Sequence, residues 1–180
     1  MSKKFRERFD QNIDIHTLEN PSEYRLSENA RWLLSQRYYA DVYDTDTGEI
    51  RKEKSFEEFA RRVARTIASA ETNYLDKDDP TALSWLVTLE KNIFNDILNR
   101  RFLFNSPCLF GSAAGLTNLP ELAEKIYCSP EVMTFDDYER IFNSKTSNQQ
   151  LFACFVIDIP DSIDGIFDSV KDAATISKFG

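Results

Sequence analysis

Ser55-Phe-Glu-Glu-Phe-Ala-Arg-Arg-Val-Ala-Arg-Thr-Ile-Ala-Ser-Ala70 decides the fold of this chain. Ser55, three residues ahead of Glu58, forms a capping box that marks a helix start. Phe56, Phe59, Ala60, Val63, Ala64, Ile67 and Ala70 then recur at the spacing of one helix face. Glu57, Arg61, Arg62 and Arg65 fall opposite, and the pattern predicts a solvated face there rather than an anion site. Moving outward, Ser27 is placed to cap a helix that carries Ala30, Leu33 and Leu34 and ends near Tyr39. Asp44-Thr-Asp-Thr-Gly-Glu49 looks superficially like a calcium loop, but its glycine stands at position five and Ser55 occupies position twelve. It is expected to be the Gly-containing turn of a short hairpin. Asp79-Pro80 starts a third helix over 81–99, with Leu83, Leu86, Val87, Ile93, Phe94, Ile97 and Leu98 on its apolar side. Up to about residue 100 the chain is therefore a small helical domain with one hairpin, preceded by an irregular arm over 1–25.

The character changes at Phe102. Residues 102–110 predict a short extended segment, with Pro107 confining it to an edge or a bend. Residues 111–149 are expected to be an inserted loop bearing two short helices, over 119–126 and 135–142. Residues 151–159 predict a buried strand with Cys154 at its middle, broken by Pro160. An amphipathic helix over 162–178 follows, with Ile163, Ile166, Phe167, Val170, Ala173 and Ala174 in one stripe and Asp161 or Ser162 as its N-cap. On spacing alone Cys154 is a small buried hydrophobe, and Ser106 and Cys108 belong to a turn around Pro107.

Composition removes several function classes. Among 180 residues, 22 are basic and 30 acidic, for a net charge of −8, which argues against a general phosphate-backbone binder. A single His, His16, and three cysteines without a CxxC pair exclude a His-rich metal centre. They also point to a reducing compartment, the cytoplasm. The N-terminus lacks the apolar core of a signal peptide, and no apolar run nears the ~20 residues of a spanning helix. An acidic helical adaptor without catalytic chemistry, docking a partner protein through the apolar surface near 150–180, is one reading of these facts.

Four stretches support another reading. Leu26-Ser-Glu-Asn-Ala30, Arg37-Tyr-Tyr39, Phe59-Ala-Arg-Arg-Val-Ala64 and Ala68-Ser-Ala-Glu71 resemble the helical N-terminal domain of ribonucleotide reductase large subunits. Phe104-Asn-Ser-Pro-Cys108 is similar to the family's Asn-Ser-Pro-Thr segment, with Cys108 in place of Thr. Leu151-Phe-Ala-Cys-Phe-Val156 resembles its Leu-Ser-Ala-Cys-Phe-Val strand, and Asp161-Ser-Ile-Asp-Gly-Ile-Phe-Asp168 with Lys171-Asp-Ala-Ala and Ile176-Ser-Lys178 the helix after it.

The resemblance implies a mainly α fold with a few β-strands. Residues 26–101 are its helical domain, and residues 102–180 the first strand and helix of a ten-stranded α/β barrel, interrupted by the insertion at about 111–149. It places Cys154 as the redox-active cysteine that reduces the ribose 2′ position with a partner thiol outside this chain. Ser106, Cys108 and Ala153 fall on substrate-contacting positions; Asp161, Ser162 and Lys178 on the deoxynucleoside triphosphate effector site. The helix over 162–178 would pack in a homodimer. The match is most like the adenosylcobalamin-dependent class, with the cobalamin bound by residues outside this chain and a thioredoxin-like reductant restoring the thiols. It leaves no room ahead of residue 20 for the family's ATP-binding cone. Reductase chemistry starts on a radical cysteine that this chain does not supply, so residues 1–180 are expected to be a piece of a reductase, inactive without the C-terminal remainder. No nucleic acid, membrane or resident metal is expected.

Overall fold

A computed structural model describes residues 26–144, 151–152 and 154–179. The arm over 1–25, the lone His16, Ala153 and Gly180 lie outside the described residues.

Helix α1 (Glu28–Arg37) starts where Ser27 accepts a hydrogen bond from the Ala30 amide at 3.2 Å. It stops at Tyr38, where the Tyr38 and Tyr39 amides both reach back to the Leu34 carbonyl at 2.9 Å. The chain then forms an antiparallel pair, β1 (Asp41–Tyr43) and β2 (Ile50–Lys52), in the register Asp41–Lys52, Val42–Arg51 and Tyr43–Ile50. Gly48 turns the hairpin at φ +74°, a left-handed geometry that costs glycine little. Asp44 Oδ1 accepts the Asp46 and Thr47 amides, and its Oδ2 pairs with Arg51 Nε at 2.9 Å. The carboxylate that would open a calcium loop is thus committed to the turn itself.

Helix α2 (Phe56–Ser69) is the axis of the molecule, and a short 3₁₀ turn (Ala70–Asn73) extends it. Ser55 Oγ accepts the Glu58 amide at 3.1 Å as its spacing predicts, but Glu58 reaches one residue further back, to the Lys54 amide at 2.7 Å. Helix α3 (Ala82–Leu98) begins after Asp79, whose Oδ1 accepts the Thr81 amide at 2.8 Å, and packs along α2. Then come α4 (Ser106–Gly111), α5 (Pro120–Tyr127), a 3₁₀ turn (Pro130–Val132), α6 (Phe135–Asn143) and α7 (Ile163–Phe179). Among the described residues no helix is long and apolar enough to cross a membrane.

Two apolar clusters flank α2. One joins Phe59, Ala60, Val63, Ile97 and Leu109, against which Leu34, Tyr39, Phe56 and Phe104 pack. The other joins Ala68, Leu86, Leu116, Leu122, Ile126, Tyr138 and Ile141. The mainly helical structure, with one two-stranded sheet among the described residues, agrees with the expected mainly α fold and its hairpin. The two short helices expected after residue 111 are present as α5 and α6, and they supply much of the second cluster.

Three local expectations are corrected. Arg62 and Arg65 do not lie on a solvated face: both are fully buried, while Glu57 is exposed as expected and Arg61 stays partly at the surface, over the Phe94 ring at 4.6 Å. Residues 102–110 do not form an edge strand. Asn105 Oδ1 accepts the Cys108 amide at 3.3 Å, so Pro107 stands in the first turn of α4, where its missing N–H costs nothing. Residues 151–159 do not form a strand among the described residues. Cys154 is exposed and Val156 entirely so, because a strand needs a neighbouring backbone to complete its hydrogen bonds.

Candidate functional site

The 105–112 turn brings together two of the residues singled out in the sequence. Ser106 is exposed, and its Oγ lies 3.0 Å from the Tyr38 hydroxyl. Cys108 points the other way. Its side chain is buried, burial pushes its thiol up, and Ser112 Oγ donates to its carbonyl at 2.6 Å. Ser106 is therefore the one of the pair whose side chain meets solvent.

Beneath this turn lies a polar assembly that the sequence pattern did not reveal. Arg62 and Glu53, both fully buried, form a two-pronged ion pair, with Nε to Oε1 at 2.8 Å and Nη2 to Oε2 at 3.2 Å. Nη1 donates to the Leu109 and Ser112 carbonyls at 3.0 and 2.8 Å, and Nη2 also donates to Tyr38 at 2.9 Å. All the N–H donors of a guanidinium are thereby used. Glu53 further accepts the Ala40 amide and the Tyr127 hydroxyl, both at 2.9 Å. Burial first, and Glu53 second, push the Tyr127 hydroxyl far up, so it stays a donor.

One helical turn on, the arrangement repeats. Arg65 pairs with Glu90 through Nε and Nη2 at 2.9 and 2.7 Å, donates to the Lys125 carbonyl and, at 3.0 Å, to that of Cys128, and meets Cys128 Sγ at 3.4 Å. Tyr138 donates to Glu90 at 2.6 Å. Burial tends to lower the Arg65 value, but Glu90 outweighs it and holds the guanidinium above its ordinary value. One sequence signal was available. Glu90 occupies a slot in the apolar series Leu83, Leu86, Val87, Ile93, Phe94, Ile97, where a lone acid calls for a buried cation.

The remaining candidates lie in the C-terminal segment. Ser162 caps α7, its Oγ accepting the Gly165 amide at 3.0 Å, with exposed Asp161 beside it. Lys178 stands in the last turn of α7, about 24 Å away at 1.5 Å per residue. Asp161 and Ser162 thus share one end of the helix and Lys178 has the other. Ser169 Oγ lies 2.8 Å from both the Asp158 and the Gly165 carbonyls and shares its one proton between them, tying the extended segment to α7. A Cβ on Gly165 would stand 2.6 Å from Pro160 Cβ, so only glycine admits this approach. Phe152, Phe155, Val156, Ile159, Ile163 and Phe167 are all exposed. Cys154, exposed, and Cys128, half-buried, are free thiols like Cys108. Among the described residues no three metal-ligating side chains come together.

Comparison with known proteins gives two findings. The family model described as "Ribonucleotide reductase, all-alpha domain" matches residues 24–117, from just ahead of α1 to the segment after the 105–112 turn. A stretch of 38 residues is 47% identical to the protein named ribonucleoside-diphosphate reductase subunit alpha in each of two strains of Helicobacter pylori. That stretch is 21% of this chain and 5% of each relative's length.

Proposed function

The chain belongs to the family of the ribonucleotide reductase all-alpha domain, and from that premise we propose that it is the N-terminal part of a reductase catalytic subunit. In this role it helps convert ribonucleotides to deoxyribonucleotides. The observation that carries the proposal is the 105–108 turn. It lies inside the matched region, rests on buried charge, and offers an exposed Ser106 hydroxyl where the resemblance expects substrate. The name of the Helicobacter relatives favours a ribonucleoside diphosphate as that substrate.

Cys154 is the reducing thiol of the proposal. Two thiols, Cys154 and a partner outside this chain, give up two electrons and two protons. The ribose 2′ C–O bond breaks, a C–H bond replaces it, the oxygen leaves as water and a disulfide forms. The partner's Cα must then come within ~7 Å of that of Cys154. A thioredoxin-like dithiol restores the pair by exchange. Of the positions that the resemblance sets against substrate, Ser106 and Ala153 would line the substrate side, while the buried Cys108 side chain would support the turn from beneath. Adenosylcobalamin, the radical source that the class resemblance implies, would be held by residues outside this chain. The chemistry assigned to this chain stops at its own thiol and turn.

The deoxynucleoside triphosphate effector would meet Asp161 and Ser162 at one end of α7 and Lys178 at the other. At a separation of about 24 Å, both ends would meet one nucleotide where a second copy lays its α7 antiparallel to the first, and the homodimer through 162–178 is part of the same proposal.

Supplying the chain with the remaining reductase polypeptide and assaying ribonucleotide reduction tests the proposal. Activity that appears on mixing and is lost with Cys154→Ser supports it; activity indifferent to Cys154 removes the redox role. Calorimetry on the same assembly should detect deoxynucleoside triphosphates, which an adaptor would ignore.

A further inference from the structure

We propose that Arg62 is a positioning residue, which holds the 105–112 turn in the place from which Ser106 meets the ribonucleotide; the substrate part of this inference rests on the function proposed above. Stability alone is a poor account of a fully buried Arg–Glu pair, since apolar residues of the same volume often serve as well. No apolar residue, however, binds three backbone carbonyls from two separate segments. Leu109 and Ser112 lie at the C-terminal end of α4, where carbonyls lack partners within the helix. A helix of six residues has little stability of its own. Its other end is tied by Ser106 to the Tyr38 hydroxyl, and the carbonyl of that same Tyr38 is the third oxygen on Arg62. Both ends of the turn thus refer to one guanidinium. Glu53 sets the plane of that guanidinium, and the Tyr127 hydroxyl and Ala40 amide hold Glu53. A lysine has the charge but not the planar fork, so it cannot span these partners at once.

The molecule contains its own control. Arg65 lies one turn along α2, equally buried and equally paired, yet its carbonyls belong to Lys125 and Cys128. Each arginine therefore has a thiol in the backbone it holds: Cys108 for Arg62 and Cys128 for Arg65.

The test compares Arg62→Lys with Arg65→Lys in the full chain. Iodoacetamide labelling of each cysteine is followed by peptide mass spectrometry, well below the unfolding transition. Arg62→Lys should speed labelling of Cys108 by about tenfold and leave Cys128 within about twofold, with Arg65→Lys giving the reverse. In the assembled reductase, Arg62→Lys should raise KM for a ribonucleoside diphosphate by about tenfold, as a displaced contact group does, while Arg65→Lys leaves it within about twofold. Should Arg62→Lys not fold, Glu53→Gln keeps the shape and should give the same selective pattern at smaller amplitude. Labelling that rises at both cysteines in either variant, or Cys108 labelling unmoved by Arg62→Lys, overturns the role of Arg62 whatever the assay shows. Selective labelling in a chain whose wild-type assembly leaves ribonucleotides untouched overturns the reductase proposal instead, and the hold of Arg62 on the turn stands.

Discussion

Helices α2 and α7 each carry an apolar stripe in sequence, the sharper one on α2, and have opposite fates. Helix α2 buries nine of its fourteen residues between two apolar clusters. Helix α7, seventeen residues long, buries only Ser169 among its described side chains and leaves Ile163, Ile166, Phe167 and Val170 exposed. The difference teaches that periodicity names the face of a helix but not what covers it. The cover of α2 comes from α3, α5 and α6 of the same chain. That of α7 and of residues 151–160 is, in the proposed function, the rest of a reductase and a second copy.

Substitutions can break this contrast, and the largest effects belong to α2. Removing the Arg62 side chain with Arg62→Ala should cost about 3–5 kcal/mol in urea unfolding, because Glu53 is left charged and buried. Phe59→Ala should cost a similar ~3–5 kcal/mol, since the ring is fully buried against Phe56 at 5.7 Å. By contrast, Arg140→Ala, which breaks a surface pair with Glu121, should cost ~0–1 kcal/mol.

A mid-sized effect is expected at α6. Thr134 and Asp137 cap this helix reciprocally, so Thr134→Ala should lower stability by about 1 kcal/mol. The same cap has a pH signature. Burial tends to raise the Asp137 carboxyl, but the Thr134 amide and Lys125 ammonium outweigh it and hold it below its ordinary 3.8. Its contribution is therefore complete above 3.8 and fades as pH falls through the lower folded value. Acid titration of stability should be shallower in Asp137→Asn than in the wild type over that window.

The smallest effect separates the regions most sharply. Phe167→Ala should change the stability of the isolated chain by no more than about 0.5 kcal/mol, against the several lost at Phe59. A large loss there would mean that α7 is already covered.

Much of the scaffold was legible because its signals are local. Ser27 and Ser55 cap the helices they precede, Gly48 turns the hairpin, and Asp79 starts α3. The misreadings arose where distant contacts decide. Pro107 reads in sequence as the mark of an edge or a bend, although Asn105 two residues earlier supplies the cap that makes it a helix start. Leu151–Val156 has the composition of a buried strand, but composition provides no neighbouring strand. The candidate site was half legible. Asn105 to Cys108 stood out as a motif, whereas Arg62 and Arg65 looked solvated, because a buried arginine is recognised only by the acid and carbonyls that meet it. Of these partners Glu90 alone left a trace in the apolar spacing.

The contrast between the regions is tested most directly by amide hydrogen exchange on the chain alone and after addition of the remaining reductase polypeptide. The account predicts that α2 and α3 amides exchange only through global unfolding in both samples. It predicts that α7 amides exchange fast in the chain alone, as a helix with no buried apolar side should, and slow once the remainder is present. Amides of α7 as protected as those of α2 in the chain alone would contradict it.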